Sequence, residues 1–268
     1  MELLGYFFAI IIGLVLGLMG GGGSILSVPV FAYLFALDAV TSTTLSLFVV
    51  ACNGLVGSLG HFKEKQIHLN TALLFGIPSV LGVLFSRRVV VPHLPEYIIN
   101  RWGICLTKDM FLLILFASLM LLASYKMIVR SKTEPSTLEI SPSRNTLLIS
   151  QGLLVGIITG LVGAGGGFLI IPALVMILGL KMKEAIGTSL FIITLSSTIG
   201  FVSSLDKVAI DWYFLLSFTG LSILGVLLGL ALSKRVDGKK LKPAFGWFVL
   251  GMGVYILIKE LILTRCAF

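Results

Sequence analysis

Three observations predict an all-α, polytopic membrane protein built as an inverted-topology internal repeat: its composition, a glycine-rich motif written twice, and the odd number of crossings each copy implies. Hydrophobic residues make up 57% of the chain and charged residues 12%, against about 25% charged in soluble domains. Mean hydropathy is +1.08. Apolar runs of about 17 to 25 residues recur between short charged loops, and the alternating segments of about 10 residues that mark an outer-membrane barrel are missing. A helical bundle in a single membrane domain, residues 1–268, follows.

The first run, "LLGYFFAIIIGLVLGLM", opens after Glu2 instead of a basic segment and leads into glycines without a small-x-small cleavage site. It reads as a permanent helix, not a signal peptide. Directly after it, "GLMGGGGSILSVPVF" breaks an apolar run with four glycines and a proline. A shift of 143 positions lays Gly13–Leu84 over Gly156–Leu227 without a gap, so "GLMGGGGSILSVPV" meets "GLVGAGGGFLIIPA". Gly20, Gly22, Gly23, Leu26 and Pro29 fall on Gly163, Gly165, Gly166, Leu169 and Pro172, and the "SLF" at Ser46 falls on that at Ser189. This is an internal duplication. "RSKTEPSTLEISPSRN", residues 130–145, separates the first repeat (1–129) from the second (146–268) and reads as a linker.

Each half is read as the same set of helices: 3–19, 24–37, 39–60, 69–86 and 109–129, then 146–162, 167–180, 184–204, 210–233 and 243–263. The second member of each set has only 14 residues, a rise of about 21 Å against a hydrocarbon core of ~30 Å. Each glycine run therefore joins two short helices that enter the membrane and turn back. Three full crossings remain per half, and an odd number inserts the halves upside down relative to each other. Lys63, Lys65, Arg130, Lys132, Arg144, Lys181, Lys183 and "KRVDGKKLK" then share one face, while Arg87, Arg88, Arg101, Lys108, Lys207 and Arg265 take the other. The denser set points to the cytoplasm, which puts both termini outside a bacterial inner membrane.

Matching glycine-interrupted short segments in inverted halves are the pattern of secondary transporters, whose site lies at the midplane between the breaks. A broken helix exposes backbone N–H groups at several kcal/mol each unless the break lines a cavity or holds a ligand. The helices after the breaks begin near Ser24 and Gly167, so their N-termini and positive dipole ends face the break and suit an anion. The candidate substrate-binding residues are Gly20, Gly21, Gly22, Gly23 and Ser24, with Ser46 and Asn53, and Gly163, Gly165, Gly166 and Gly167, with Thr188 and Ser189. Ser46 and Ser189 are the repeat-equivalent pair. No acidic or basic residue falls at the middle of a span, so dipoles and hydroxyls are expected to neutralise the anion without a buried arginine.

Other chemistries fit less well. "GGGGS" lacks the lysine of a phosphate-binding loop. Cys52, Cys105 and Cys266 show no ligand spacing, and His61, His68 and His93 read as interfacial, so neither a metal nor a cofactor is expected. Gly13-x-x-x-Gly17 and Gly156-x-x-x-Gly160 read as helix-packing motifs. The basic residues set membrane orientation, with no nucleic-acid partner; the expected partners are a small anion and the bilayer, with a homo-oligomer left open. An anion channel is one alternative. An intramembrane hydrolase with Ser24 as nucleophile and His61 as base is another, disfavoured because Ser24 becomes Gly167 in the second copy and no orienting carboxylate is evident.

The paired G-x-G-G-x-x-L-x-x-P motifs, Gly20 to Pro29 and Gly163 to Pro172, with "AIGTSLF" at Ala185–Phe191, resemble the sulfite exporter TauE/SafE family of bacterial permeases. The resemblance spans nearly the whole chain. It implies transport of sulfur-containing anions, notably export of sulfite and related compounds. The first half departs from the family pattern, with "VTSTTLSLF" where the second keeps "AIGTSLF", so the two half-sites are chemically unequal.

Overall fold

A computed structural model of the chain describes residues 2–95, 97–101, 104–129, 142–162 and 166–263. Helix α1 (Glu2–Met19) ends at Gly20, whose φ of +69° is open to glycine at little cost. The chain reverses there into α2 (Gly22–Pro29). Gly23 packs on Ile12 and Leu16 of α1 and, at the far end, Phe35 lies against Gly5, so α1 and α2 form an antiparallel hairpin. Pro29 has no N–H to give the preceding turn, and the helix widens after it into a π-helical turn, Val30–Leu34. Asp38 then caps α3 (Ala39–Lys63), its Oδ2 accepting from Thr41 N–H at 2.9 Å.

Helix α4 (Leu69–Phe85) runs on through a π-helical turn, Ser86–Val90, into one more helical turn, α5 (Val91–His93). The expected span of 69–86 is thus too short, and Arg87 and Arg88 lie in helix, not in a loop. An antiparallel hairpin, β1 (Tyr97–Arg101) and β2 (Ile104–Thr107), connects to α6 (Lys108–Val129); helical periodicity had no signal for it. The second half holds α7 (Pro142–Val162), α8 (Gly167–Ile177), α9 (Met182–Val202), α10 (Trp212–Arg235) and α11 (Gly238–Leu263). Residues 130–141 of the expected linker lie outside the described residues, and Pro142–Asn145 already belong to α7. Pro243 sits in the second turn of α11, which begins five residues earlier than its apolar pattern suggests.

Glycines set how the helices pair. Gly13 and Gly17 of α1 bring its backbone onto Ser222 and Val226 of α10, with Leu230 next to Gly17, so these two helices run parallel. Gly152, Gly156 and Gly160 of α7 lie on Phe75, Ser79 and Val83 of α4, again parallel. Between the pairs, α3 and α9 cross antiparallel: Gly54 meets Leu190 and Thr194, Gly187 meets His61, and Gly200 meets Leu47. The sequence repeat equates α1 with α7, α4 with α10 and α3 with α9, and the members of each of these pairs run in opposite directions.

The outward face of α4 is apolar, unlike that of a helix on a soluble protein. On α4, Leu69, Leu73, Ile77, Leu81, Phe85 and Val89 are exposed at steps of four, one face for lipid, while Ala72, Ser79, Gly82 and Ser86 are buried. Small residues inside let backbones approach, since lipid supplies no hydrophobic drive between helices. By length and composition five helical stretches among the described residues can cross a membrane: 39–63, 69–93, 182–202, 212–235 and 243–260.

A methyl on Gly156 would overlap the Ser79 backbone, whereas Gly251, on the exposed face of α11, has nothing within 4 Å. Gly156→Leu should lower the thermal midpoint in detergent by several degrees or abolish the folded peak on size exclusion, because overpacking costs about 1–3 kcal/mol even where side chains yield. Gly251→Leu should leave both readings unchanged.

Candidate functional site

The two breaks meet. A Cβ on Gly21 would overlap the backbone of Gly167, and one on Gly167 would overlap Gly21 and approach Ile193 Cδ1 within 2.6 Å. Ile193 lies near the middle of α9, so the contact sits deep in the bundle. Gly21 is the N-cap of α2 and Gly166 that of α8, and neither supplies a side-chain hydrogen bond to the first turn. Two helix N-termini thus converge in the interior, where helices normally bring an Asp, Ser or Thr cap. The breaks differ at a matched position: Gly166 is left-handed, whereas its repeat-equivalent Gly23 lies in helix α2; Gly20 is left-handed in the first half. Gly163 and Gly165 lie outside the described residues. Gly22 and Gly23, read as part of the break, are the first residues of α2.

The hydroxyls divide into two groups. Ser189, on α9, has its Oγ 3.3 Å from where a Cβ on Gly20 would stand, although its proton goes back to Ile186 O at 2.9 Å. Ser46 shares a hydrogen bond with Ser27 of α2, whose hydroxyl is also within 2.9 Å of Ser24 O. Ser24 donates to Gly21 O at 2.7 Å, which ties the break to its own helix. Thr188 accepts instead from His68 N–H, at 3.1 Å, and so belongs to the α3–α4 connection. Asn53 donates to Ser222 Oγ at 2.6 Å, joining α3 to α10, with its Oδ1 buried and unpaired. Thr159, which the sequence did not single out, packs directly on Gly166 and donates to Val155 O; only a hydroxyl one turn before the second break could have signalled it.

One sequence expectation about charge needs correction. Arg87 is 2% exposed, inside the bundle, because the π-helical turn keeps α4 going past Ser86, which packs on Gly160. His61, in the last turn of α3, is 3% exposed and lines a cavity of about 460 Å³. Glu64, Gln66, Lys183, Leu230, Lys234 and Arg235 share that lining. The cavity opens where the α3–α4 turn, the start of α9 and the end of α10 come together, a face we term basic. Glu64 pairs with Lys234 at 2.9 Å, and His68 with Glu184 at 3.4 Å. Across the bundle, Phe31, Phe35, Phe214 and Phe218 pack with centroids 4.7 to 6.2 Å apart and join α2 and its π turn to α10.

Apolar helices with lipid-facing leucines, surrounding two broken hairpins that abut at glycine, define a multi-pass helical membrane protein. The chain belongs to the sulfite exporter TauE/SafE family, whose model matches residues 6–256. It is 26% identical to a probable membrane transporter protein of Xylella fastidiosa strain 9a5c, over 92% of this chain and 91% of that one. It is 29% identical to the probable membrane transporter protein YunE of Bacillus subtilis, over 86% and 89% of the two chains. A probable membrane transporter protein of Methanocaldococcus jannaschii, MJ0441, is 25% identical over 93% and 94%. No solved structure matches the chain.

Gly21→Ala should destabilise the protein strongly, since backbone faces backbone there, whereas Gly220→Ala, with nothing within 4 Å, should shift the thermal midpoint negligibly. The Lys234 hydrogen bond holds the Glu64 carboxyl below its usual range. A lowered folded value adds stability above the unfolded carboxylate pKa and loses it as pH falls through the folded one. Lys234→Ala should therefore cost at most about 1 kcal/mol at pH 7, as for an exposed pair. Chemical denaturation should show that difference vanishing in acid, below the folded Glu64 value.

Proposed function

We propose that the protein is a secondary transporter of a small sulfur-containing anion, such as sulfite, a sulfonate or a related oxyanion, bound between the two glycine breaks. The observation that carries this is the convergence of the N-termini of α2 and α8 at the Gly21–Gly167 contact. N–H groups and positive dipole ends aimed at one buried point favour negative charge. Glycine lets the backbone itself approach the ligand. Gly20 and Ser189 line the first half of this site, Gly166, Gly167 and Thr159 the second, and Ser46 holds Ser27 beside the first.

Carrier action is favoured over a channel by the two faces: a cavity on the basic face, an aromatic cluster toward the other. Alternating access exchanges these states by moving one half against the other. A hydrolase gains no support, because Ser24 gives its proton to Gly21 O and His61 bonds Gln66. With the basic face in the cytoplasm of a bacterial inner membrane, both termini are extracytoplasmic. Export as the direction rests on the family's name.

Proteoliposomes carrying labelled sulfite test this reading. Losing a hydrogen bond to a charged ligand costs about 1.5–3 kcal/mol, so Ser189→Ala should cut flux roughly tenfold or more while the folded fraction on size exclusion holds; Gly20→Ala, which puts a side chain at a left-handed position, should cut flux and also lower the folded fraction. Undiminished flux in both folded variants sinks the glycine site. Rates beyond carrier turnover turn the reading toward a channel.

A further inference from the structure

The cavity on the basic face ends at a histidine whose environment nothing in the glycine site explains. Helix α3 closes with a Schellman turn: Lys65, in the left-handed region at φ +55°, donates from its N–H to Phe62 O at 3.0 Å, and Gln66 N–H donates to His61 O at 3.1 Å. That turn folds Gln66 back over the helix end, where its Oε1 accepts from His61 Nδ1 at 2.7 Å. With the hydrogen fixed on Nδ1, a neutral imidazole leaves Nε2 as a bare acceptor. Nε2 is buried and has no hydrogen-bond partner. Buried polar atoms are normally paired, so an unpaired one calls for a cause.

Position supplies one. The His61 ring stands over Gly187, with Cγ 3.3 Å from where a Cβ there would be. Ile186 and Ser189, on either side of Gly187 along α9, pack against Gly20. His61 therefore lies between the cavity and the first glycine break. Its charged surroundings are Glu64 at the end of α3, Lys183 on α9, and Lys234 and Arg235 on α10. Lys234 neutralises Glu64, and neither Lys183 nor Arg235 has a carboxylate within salt-bridge distance among the described residues. The cavity is cationic, and its volume is within the range of small-ligand sites.

We propose that His61 is a proton-dependent anion ligand at the inner end of this cavity, a recognition site that an oxyanion or sulfonate occupies on its way between the basic face and the glycine breaks. A neutral Nε2 repels an anion through its lone pair. Protonated, it becomes a charge-assisted donor while Nδ1–H stays on Gln66. One proton from cavity water is thus taken up at Nε2 with each anion, and Lys183 and Arg235 add positive charge around the site. The path role rests on the transport reading above; the proton-linked binding does not.

Isothermal titration calorimetry of the purified full chain in detergent with methanesulfonate, whose charge is fixed across the range, tests the proposal. Proton uptake is read from buffers of different ionisation enthalpy. The wild type should take up close to one proton per anion near pH 8, with Kd rising up to about tenfold per pH unit above the His61 titration. His61→Gln should bind with no proton uptake and a flat Kd. Lys183→Gln should weaken binding about equally at every pH and keep the uptake. No binding by the wild type at pH 6, no proton uptake, or uptake that survives in His61→Gln overturns the proposal. Proton-linked binding without methanesulfonate or sulfite flux in proteoliposomes leaves this site standing and removes the transport reading. Flux without proton-linked binding does the reverse.

Discussion

Everything near the centre of this protein depends on one contact, the backbone of Gly21 against that of Gly167. No side chain fits there, so each break must be glycine, and each helix that follows must start without a side-chain cap. That leaves two positive helix ends close together in a low-dielectric interior, an arrangement that is unfavourable by itself and becomes favourable when an anion lies between them. The strain of assembling the core and the proposed affinity for an anion would have the same origin.

The outer helices make that contact possible. Gly13 and Gly17 seat α1 on α10, Gly156 and Gly160 seat α7 on α4, and the two seated hairpins are pressed together by the crossing of α3 and α9. Lipid offers no reward for burying leucine between helices, so close approach through small residues has to supply the packing energy. One face of α4 accordingly turns leucines and Phe85 outward, and the interior carries, beside its apolar side chains, many serines and threonines bonded to their own helices. Such hydroxyls are satisfied at low cost, and a few of them reach the breaks.

Among the described residues, charged side chains lie toward the ends of the helices. Tyr33 donates to the buried Glu260 at 2.6 Å, with Lys259 over its ring, and Arg87 is enclosed at the end of α4. On the basic face the Schellman turn of α3, the start of α9 and the end of α10 bring cations around one cavity with His61 at its floor. The glycine centre and this cavity are linked through Gly187 and Ser189 of a single helix, so a movement of α9 alters both.

Much of the fold was legible in the sequence, because a membrane restricts a chain to helices whose length and apolar pattern are periodic, and because the 143-residue shift identifies which helices correspond. The glycine runs marked the breaks, and Gly20, Gly166, Gly167 and Ser189 do gather there. What the sequence could not fix is which backbone atoms meet. It equated Gly23 with Gly166, but Gly166 is left-handed and Gly23 lies in helix α2. It placed Arg87 in a loop, since a one-dimensional pattern measures distance along a helix and not what packs around its end. Nor could it show that Asn53 donates to Ser222 of α10 or that Thr188 accepts from His68 N–H. Helix type and repeat are set by local periodicity in a medium without water. Partnership across helices is set by the close approach of surfaces far apart in the chain, and only the tertiary structure decides it.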